Sequence, residues 1–257
     1  MRSIFIKEIN LFFSSIVGYV ALLVFLASCG LFLWIMPEYS ILGYGFASME
    51  RFFDIAPWLL LLLVPAVTMR SFADEFRTGT IEWLKTKPLT DLQIITGKYL
   101  ATIALIVFAL LPTLIYVYTI HNLSETYSTQ DGGIHVIPLD MGGIIGSYIG
   151  LFFLAATFAA VSIFCSSLTG NQVVSFLVSL LSCYLLYTGF EQLSKLPSIT
   201  EGIDYYLSMI GMEFHYNSIS RGFIDSRDVV YFLSMIILFI SLTRFSLNSR
   251  TKDAARQ

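Results

Sequence analysis

Six runs of this chain are too long and too apolar to form the core of a water-soluble domain. They cover residues 11–36, 53–69, 99–120, 141–165, 173–190 and 229–245. A hydrocarbon core about 30 Å thick takes about 20 helical residues to cross, and runs of about 17–25 qualify. Only helices and closed barrels satisfy every backbone group inside it. The runs therefore predict an all-α integral membrane protein with six transmembrane helices. Charge agrees, at 13% of residues against about a quarter in soluble domains. A soluble globular domain, a disordered chain and a disulfide scaffold are excluded. The net charge of −3 without a basic tract also argues against a nucleic-acid partner.

Lysine and arginine set the orientation. With six spans, the N-terminus, the 70–98 loop, the 166–172 loop and the C-terminus share one side. That side holds Arg2, Lys7, Arg70, Arg77, Lys85, Lys87, Lys98, Arg244, Arg250, Lys252 and Arg256, which is 11 of the 15. Positive residues stay in the cytoplasm, so both termini are expected there. Trp34, Trp58, Tyr19, Tyr99, Tyr148, Tyr187 and Tyr231 lie in or near span ends and suit aromatic belts. Arg70 and Lys98, bracketing the loop, are expected to snorkel to the interface.

Leu26-Ala27-Ser28-Cys29 imitates a lipoprotein cleavage site. The chain stays apolar after Cys29, and the run exceeds the 7–15 residues or so of a signal-peptide core, so a first span is the better reading. Cys165 and Cys183 also lie in or at the ends of apolar runs. All three cysteines are expected to be packing residues. Met1 to Asn10 suits either an amphipathic interfacial helix or a plain basic flank.

The loop between spans two and three carries the most information. Gly79 can end a helix extending from span two, and Pro88 stops whatever Thr80 starts. Thr80 to Lys85 leaves room for a turn or two of helix. Ile81, Trp83 and Leu84 cannot all be buried in lipid there, so a protein partner is expected to cover some of them. Thr90 and Gln93 fit a capping box, with Leu89 and Ile94 as its hydrophobic staple. A short capped helix between two stiffened helix ends can pass force as a unit, which suggests a docking site for a motor.

The string Glu75-x-Arg77-x-Gly79-Thr80-x-Glu82-x-Leu84-x-Thr86-x-Pro88, followed by Gly97-Lys98, resembles the cytoplasmic loop of ABC-2 type transporter permeases. Ala56-Pro57-Trp58, the run Pro65 to Arg70, and the run Ser218 to Phe232 resemble the gliding-motility-associated branch from Bacteroidetes. The resemblance implies a single type V exporter-like permease domain over residues 1–257 in a bacterial inner membrane. It also implies a coupling helix seated in a cleft of a separate cytoplasmic ATPase, which would bind ATP and magnesium. That role carries over most directly to Thr80, Ile81, Glu82, Trp83, Leu84 and Lys85, with Glu75, Arg77 and Gly79 beside them. A second membrane subunit, identical or not, would complete the path.

The chain carries no phosphate-cradling loop of its own. Leu92 stands where the first glycine of G-x-x-x-x-G-K belongs, and Tyr99 replaces the Ser or Thr after Lys98. ATP hydrolysis is therefore expected in another polypeptide, and no cofactor in this one. Ionisable residues are missing from mid-span, with Asp54 and Glu191 only at edges, which argues against an ion-driven carrier. His121, His135 and His215 lack the paired spacing of metal ligands, and no nucleophile–base arrangement supports an intramembrane enzyme.

Gly142, Gly146 and Gly150, followed by Ala155, Ala156, Ala159 and Ala160, allow close helix approach. Packing within the subunit is favoured over a seam between subunits. Pro65 and Pro112 are expected to bend their spans. The outer 191–228 segment is too long for a turn. Ser198 and Glu201 fit a capping box, and Ile203, Tyr206, Leu207 and Ile210 give the following helix an apolar face. Tyr205, Tyr206 and Phe214 are candidate contacts for a periplasmic accessory protein. The alternative to transport is a subunit that passes ATPase strokes to such a protein without cargo.

Overall fold

The computed structural model describes residues 1–36, 48–85, 87–124, 140–196 and 202–254. Pro37, Thr86, His135 and the expected Ser198–Glu201 capping box lie outside them. The described residues are helical apart from short turns. Among the described residues, six helical segments are long and apolar enough to cross a membrane: Ile16–Ile35, Glu50–Thr78, Asp91–Asn122, Met141–Leu168, Gln172–Ser194 and Ser226–Arg250.

Before the first span, α1 (Arg2–Phe13) ends at Ser14, and extended Ser15 turns the chain into α2 (Ile16–Gly30). A π-helical turn over Leu31–Ile35 closes that span. The second contains α3 (Glu50–Thr68), which runs through Pro57 and Pro65, then a turn and α4 (Ala73–Thr78). Gly79 caps α4 in the left-handed region at φ 68°, a conformation glycine adopts without steric cost. Directly after it comes α5 (Thr80–Lys85).

The third span opens on α6 (Asp91–Leu110). Thr90 accepts from the Gln93 amide while the Gln93 side chain accepts from the Thr90 amide, so the expected capping box is formed. Leu89 and Ile94 share one apolar cluster, as a staple requires. Pro112 interrupts the span with a 3-10 turn, Leu111–Thr113, before α7 (Leu114–Ser124). Proline lacks the N–H that an unbroken α-helix needs there.

The fourth span, α8 (Met141–Leu168), is the hub. It packs against α3, α6 and three later helices. These are α9 (Gln172–Tyr184), the short α12 (Met212–Ser220) and the long α13 (Ser226–Ala254). Ala155, Ala156, Ala159 and Ala160 are all buried, as are Cys29, Cys165 and Cys183. Span five adds a second π-helical turn, Leu185–Gly189, and α10 (Phe190–Ser194). Beyond it lies α11 (Ile203–Ser208).

The expected aromatic belt needs correction here. Tyr99, Tyr148 and Tyr187 pack between helices rather than in a lipid-facing belt. Tyr187 is 4% exposed, Tyr148 packs on Phe52 and Phe53, and Tyr99 donates to the Ala156 carbonyl. A buried phenol needs a hydrogen-bond partner; the Ala156 carbonyl supplies it to Tyr99 and Thr113 to Tyr148. Within the 191–228 segment a second helix, the largely buried α12, follows the one whose apolar face was expected.

Candidate functional site

The site expected from sequence lies at the end of the bundle where α1 and the tail of α13 meet the 70–98 loop. Its base is Lys98, whose side chain is 1% exposed. The ammonium donates to Glu8 Oε1 at 2.6 Å, to the Ser71 carbonyl at 2.6 Å and to Glu75 Oε1 at 2.9 Å. Three acceptors thus meet the three protons an ammonium offers. The Phe72 ring lies 5.0 Å away, within cation–π range. Lys7 adds a second ammonium to Glu75 Oε1 at 2.9 Å. Lys98 therefore does not snorkel, because the protein itself supplies the acceptors that the lipid interface would have offered. Arg70 is likewise turned onto the protein and donates to Ser15 Oγ at 2.7 Å.

Gly97 makes this knot possible. A Cβ there would lie 3.2 Å from the Ile4 side chain and 3.3 Å from the Met1 carbonyl. With hydrogen in its place, α1 lies directly against α6 and brings Glu8 to Lys98. Ile4 is 4% exposed and joins Phe72, Ile94, Ile95, Ile163 and Leu247 in a cluster separate from the main core. Residues 2–13 are thus helical, and the helix packs on α6, a contact that neither reading of residues 1–10 foresaw.

Six consecutive residues after the α3 turn are each tied to a distant part of the chain. The Ser71 carbonyl accepts from Lys98. The Phe72 and Ala73 amides both donate to Ser166 Oγ at 3.1 Å. Asp74 accepts from the Gln172 amide group at 2.7 Å, and also from Arg77. Glu75 holds Lys98 and Lys7. Phe76 carries the Arg250 guanidinium over its ring at 4.5 Å, and Arg250 also donates to the Leu168 carbonyl. Sequence reading missed Glu8, Ser166, Gln172 and Arg250 because each lies far along the chain from its partner. The visible signal was a lysine directly after a glycine at the head of an apolar run.

Upon this base sits α5. Ile81 and Leu84 pack on the Ile4–Phe72 cluster, whereas Glu82 is exposed and Trp83 is 78% exposed. Arg77, Gly79 and Thr80 are exposed as well. The expected set thus divides into an outward face and an inward one, and Glu75 belongs to the base, at 7% exposure.

At the opposite end, α12 covers the bundle. The Tyr216 hydroxyl donates to the Phe53 carbonyl at 2.8 Å. His215 lies between Asp228 Oδ1 at 2.7 Å and the Met209 carbonyl at 2.8 Å, stacked on Tyr231 at 3.9 Å. Gly146 and Gly150 of α8 receive this cap. A Cβ on Gly146 would stand 2.9 Å from Gly222 Cα and from the Ile219 carbonyl, and one on Gly150 would stand 3.3 Å from Ile219. These two glycines serve packing within the subunit. At Gly142 the approach does not require glycine, since a Cβ there would meet only the Asp140 side chain. Tyr205 and Tyr206 are 55% and 71% exposed on α11, while Phe214 is half-buried with its ring against Tyr205. Burial raises the pKa of the Glu213 carboxyl; Glu191 raises it further, while Thr188 and Lys195 oppose the shift. Among the described residues, no three His, Cys, Asp or Glu side chains gather as a metal site would require.

Six apolar spans with α8 as their hub, and a braced helical loop at one end, define a multi-pass membrane subunit. The chain belongs to the ABC-2 transporter family: the family's sequence profile, described as ABC-2 family transporter protein, matches residues 43–243. Membership makes it the membrane permease subunit of an ABC transporter, working with an ATPase subunit. Comparison with curated proteins finds no significant match.

Proposed function

We propose that this chain is a bacterial inner-membrane permease subunit with both termini in the cytoplasm, and that α5 receives the stroke of a separate ATPase carrying ATP and magnesium. The supporting observation is the division of α5, with Glu82 and Trp83 outward and Ile81 and Leu84 seated on a base centred on Lys98. Aromatic residues anchor protein interfaces more often than most, and an exposed tryptophan on a braced helix is suited to a cleft in a partner. The concentration of Lys and Arg at this end favours the cytoplasm. A second membrane subunit, the same or different, completes a path between two halves. Ala56–Trp58, Pro65–Arg70 and Ser218–Phe232 favour a gliding-motility complex.

The test is co-purification in mild detergent with the ATPase that the wild-type chain retains. Trp83→Ala and Glu82→Arg should lose the ATPase, or its transport-linked hydrolysis, while the unfolding temperature stays at the wild-type value. Full coupling in both variants would remove α5 as the docking site. A second reading, transmission of strokes to a periplasmic protein, draws support from the exposure of Tyr205 and Tyr206 on α11. Crosslinking from Tyr205 to a periplasmic component would favour it.

A further inference from the structure

We infer that the subunit binds one zwitterionic glycerophospholipid of the phosphatidylethanolamine type, with its headgroup in a polar cavity beside Lys98 and one acyl chain in the groove between spans one and two.

The cavity has a volume of about 320 Å³ and is bounded by α1, the start of α2, the end of α3, α4, Thr80 of α5 and α6. Small-molecule sites begin at about 300 Å³. Its wall carries three cations, Lys7, Arg70 and Lys98, and three acids, Glu8, Asp74 and Glu75. Lys98 is saturated by its three acceptors. What remains is specific: Arg70 Nε and Glu75 Oε2 are both buried without a hydrogen-bond partner. Glu75 is 7% exposed, so bulk water does not satisfy it. Lys7 spends one donor on Glu75 and is 44% exposed. A ligand that satisfied both residues would offer an anion to Arg70 and Lys7 and an N–H donor to Glu75. Phosphate and ammonium on one headgroup meet that requirement, whereas a purely anionic headgroup leaves the carboxylate unanswered and adds to the acids already present.

The second half of the site is apolar. A groove of about 180 Å³ runs between α2 and α3 and shares Val17 and Ala66 with the polar cavity. Along α2 it extends from Val17 to Ser28, about 16 Å at the rise of an α-helix. That is about half of a 30 Å hydrocarbon core, the depth of one leaflet. A polar chamber opening into an apolar slot of one leaflet's length has the outline of a membrane lipid. The cavity touches α5 only at Thr80 and shares Glu75 and Lys98 with the base beneath it. Lipid retention nevertheless needs no ATPase and no partner subunit, so its failure and the failure of α5 as a docking site are read separately.

The test uses the full chain, purified in mild detergent and analysed by native mass spectrometry with added phosphatidylethanolamine, phosphatidylglycerol or soluble glycerophosphoethanolamine. The expected result is one phosphatidylethanolamine per chain, held at least tenfold more tightly than phosphatidylglycerol, with soluble glycerophosphoethanolamine weaker still. Ala66→Phe, which blocks the junction without touching an ion pair, should abolish retention, and Arg70→Gln should weaken it at least tenfold. In parallel, phosphatidylethanolamine should raise the unfolding temperature of the wild type and not of Ala66→Phe. Should Ala66→Phe fail to fold, Val17→Phe makes the same block from the other helix. Equal retention of the two lipids, undiminished retention in the blocked chain, or equally tight binding of the soluble headgroup would overturn the inference.

Discussion

The ammonium of Lys98 and the carboxylate of Glu75, 23 positions apart in the chain, meet at 2.9 Å with side-chain exposures of 1% and 8%. Charges taken this far out of water are held only because each is paired and hydrogen-bonded. Removing one member is therefore far more damaging than removing both. Lys98→Met should cost about 3–5 kcal/mol, the usual penalty for stranding buried charge. Lys98→Met combined with Glu75→Gln should recover part of that loss. Unfolding midpoints in detergent measure both, and a Lys98→Met chain as stable as wild type would deny the knot its role.

Gly79 offers a separate test of the loop. Its φ is 68°, and nothing stands within 4 Å of a Cβ placed there. Gly79→Ala should thus cost only the backbone penalty of the left-handed region, about 1–2 kcal/mol. Gly79→Asn should cost less, because asparagine tolerates that region better. Equal stability of the two variants would show that the left-handed turn is not retained.

The glycines of α8 separate by position. Gly146→Ala meets backbone atoms at 2.9 Å on Gly222 and Ile219. Backbone cannot swing aside, so α12 must shift, at about 1–3 kcal/mol for an overpacked contact. Gly142→Ala meets only an Asp140 oxygen at 3.3 Å and should stay within about 0.5 kcal/mol of wild type. Thermal unfolding of the two variants side by side decides the matter.

Glu213 gives the α12 cap a pH dependence. Burial raises its carboxyl above the ordinary value of 4.5. A raised acid contributes stability that is complete below the unfolded value and is lost as pH rises through the folded one. At neutral pH the ionised, half-buried carboxylate is a net cost, so Glu213→Gln should be more stable than wild type at pH 7. The difference should shrink as pH falls toward 4. A constant difference across that range would mean that Glu213 does not carry the dependence.

The six spans were readable because apolar length alone specifies them, and their capping residues were readable because capping is local. Thr90 and Gln93 are three residues apart, and Gly79 acts on its own turn. Lys98 was misread for the opposite reason. Its place at the edge of an apolar run suits an interfacial lysine equally well, and its partners Glu8 and Glu75 are fixed only by tertiary packing. Helix α12 has no run long enough to cross a membrane and mixes His215 and Asn217 with Ile219, so no single period stands out. On α8 the spacing of Gly142, Gly146 and Gly150 showed that something approaches closely there. That the approaching element is α12 with Gly222 behind it, and that only Gly146 and Gly150 would crowd it if they carried a side chain, emerges only once the chain is folded.

The ties on residues 71–76 bear on timing. Ser71, Phe72, Ala73, Asp74, Glu75 and Phe76 are each fastened to α1, α6, α8, α9 or α13. A displacement delivered at α5 has no slack segment in which to dissipate, and it reaches those five helices through parallel connections rather than in series. If α5 receives a stroke as proposed, these parallel ties would make the five helices respond together rather than one after another.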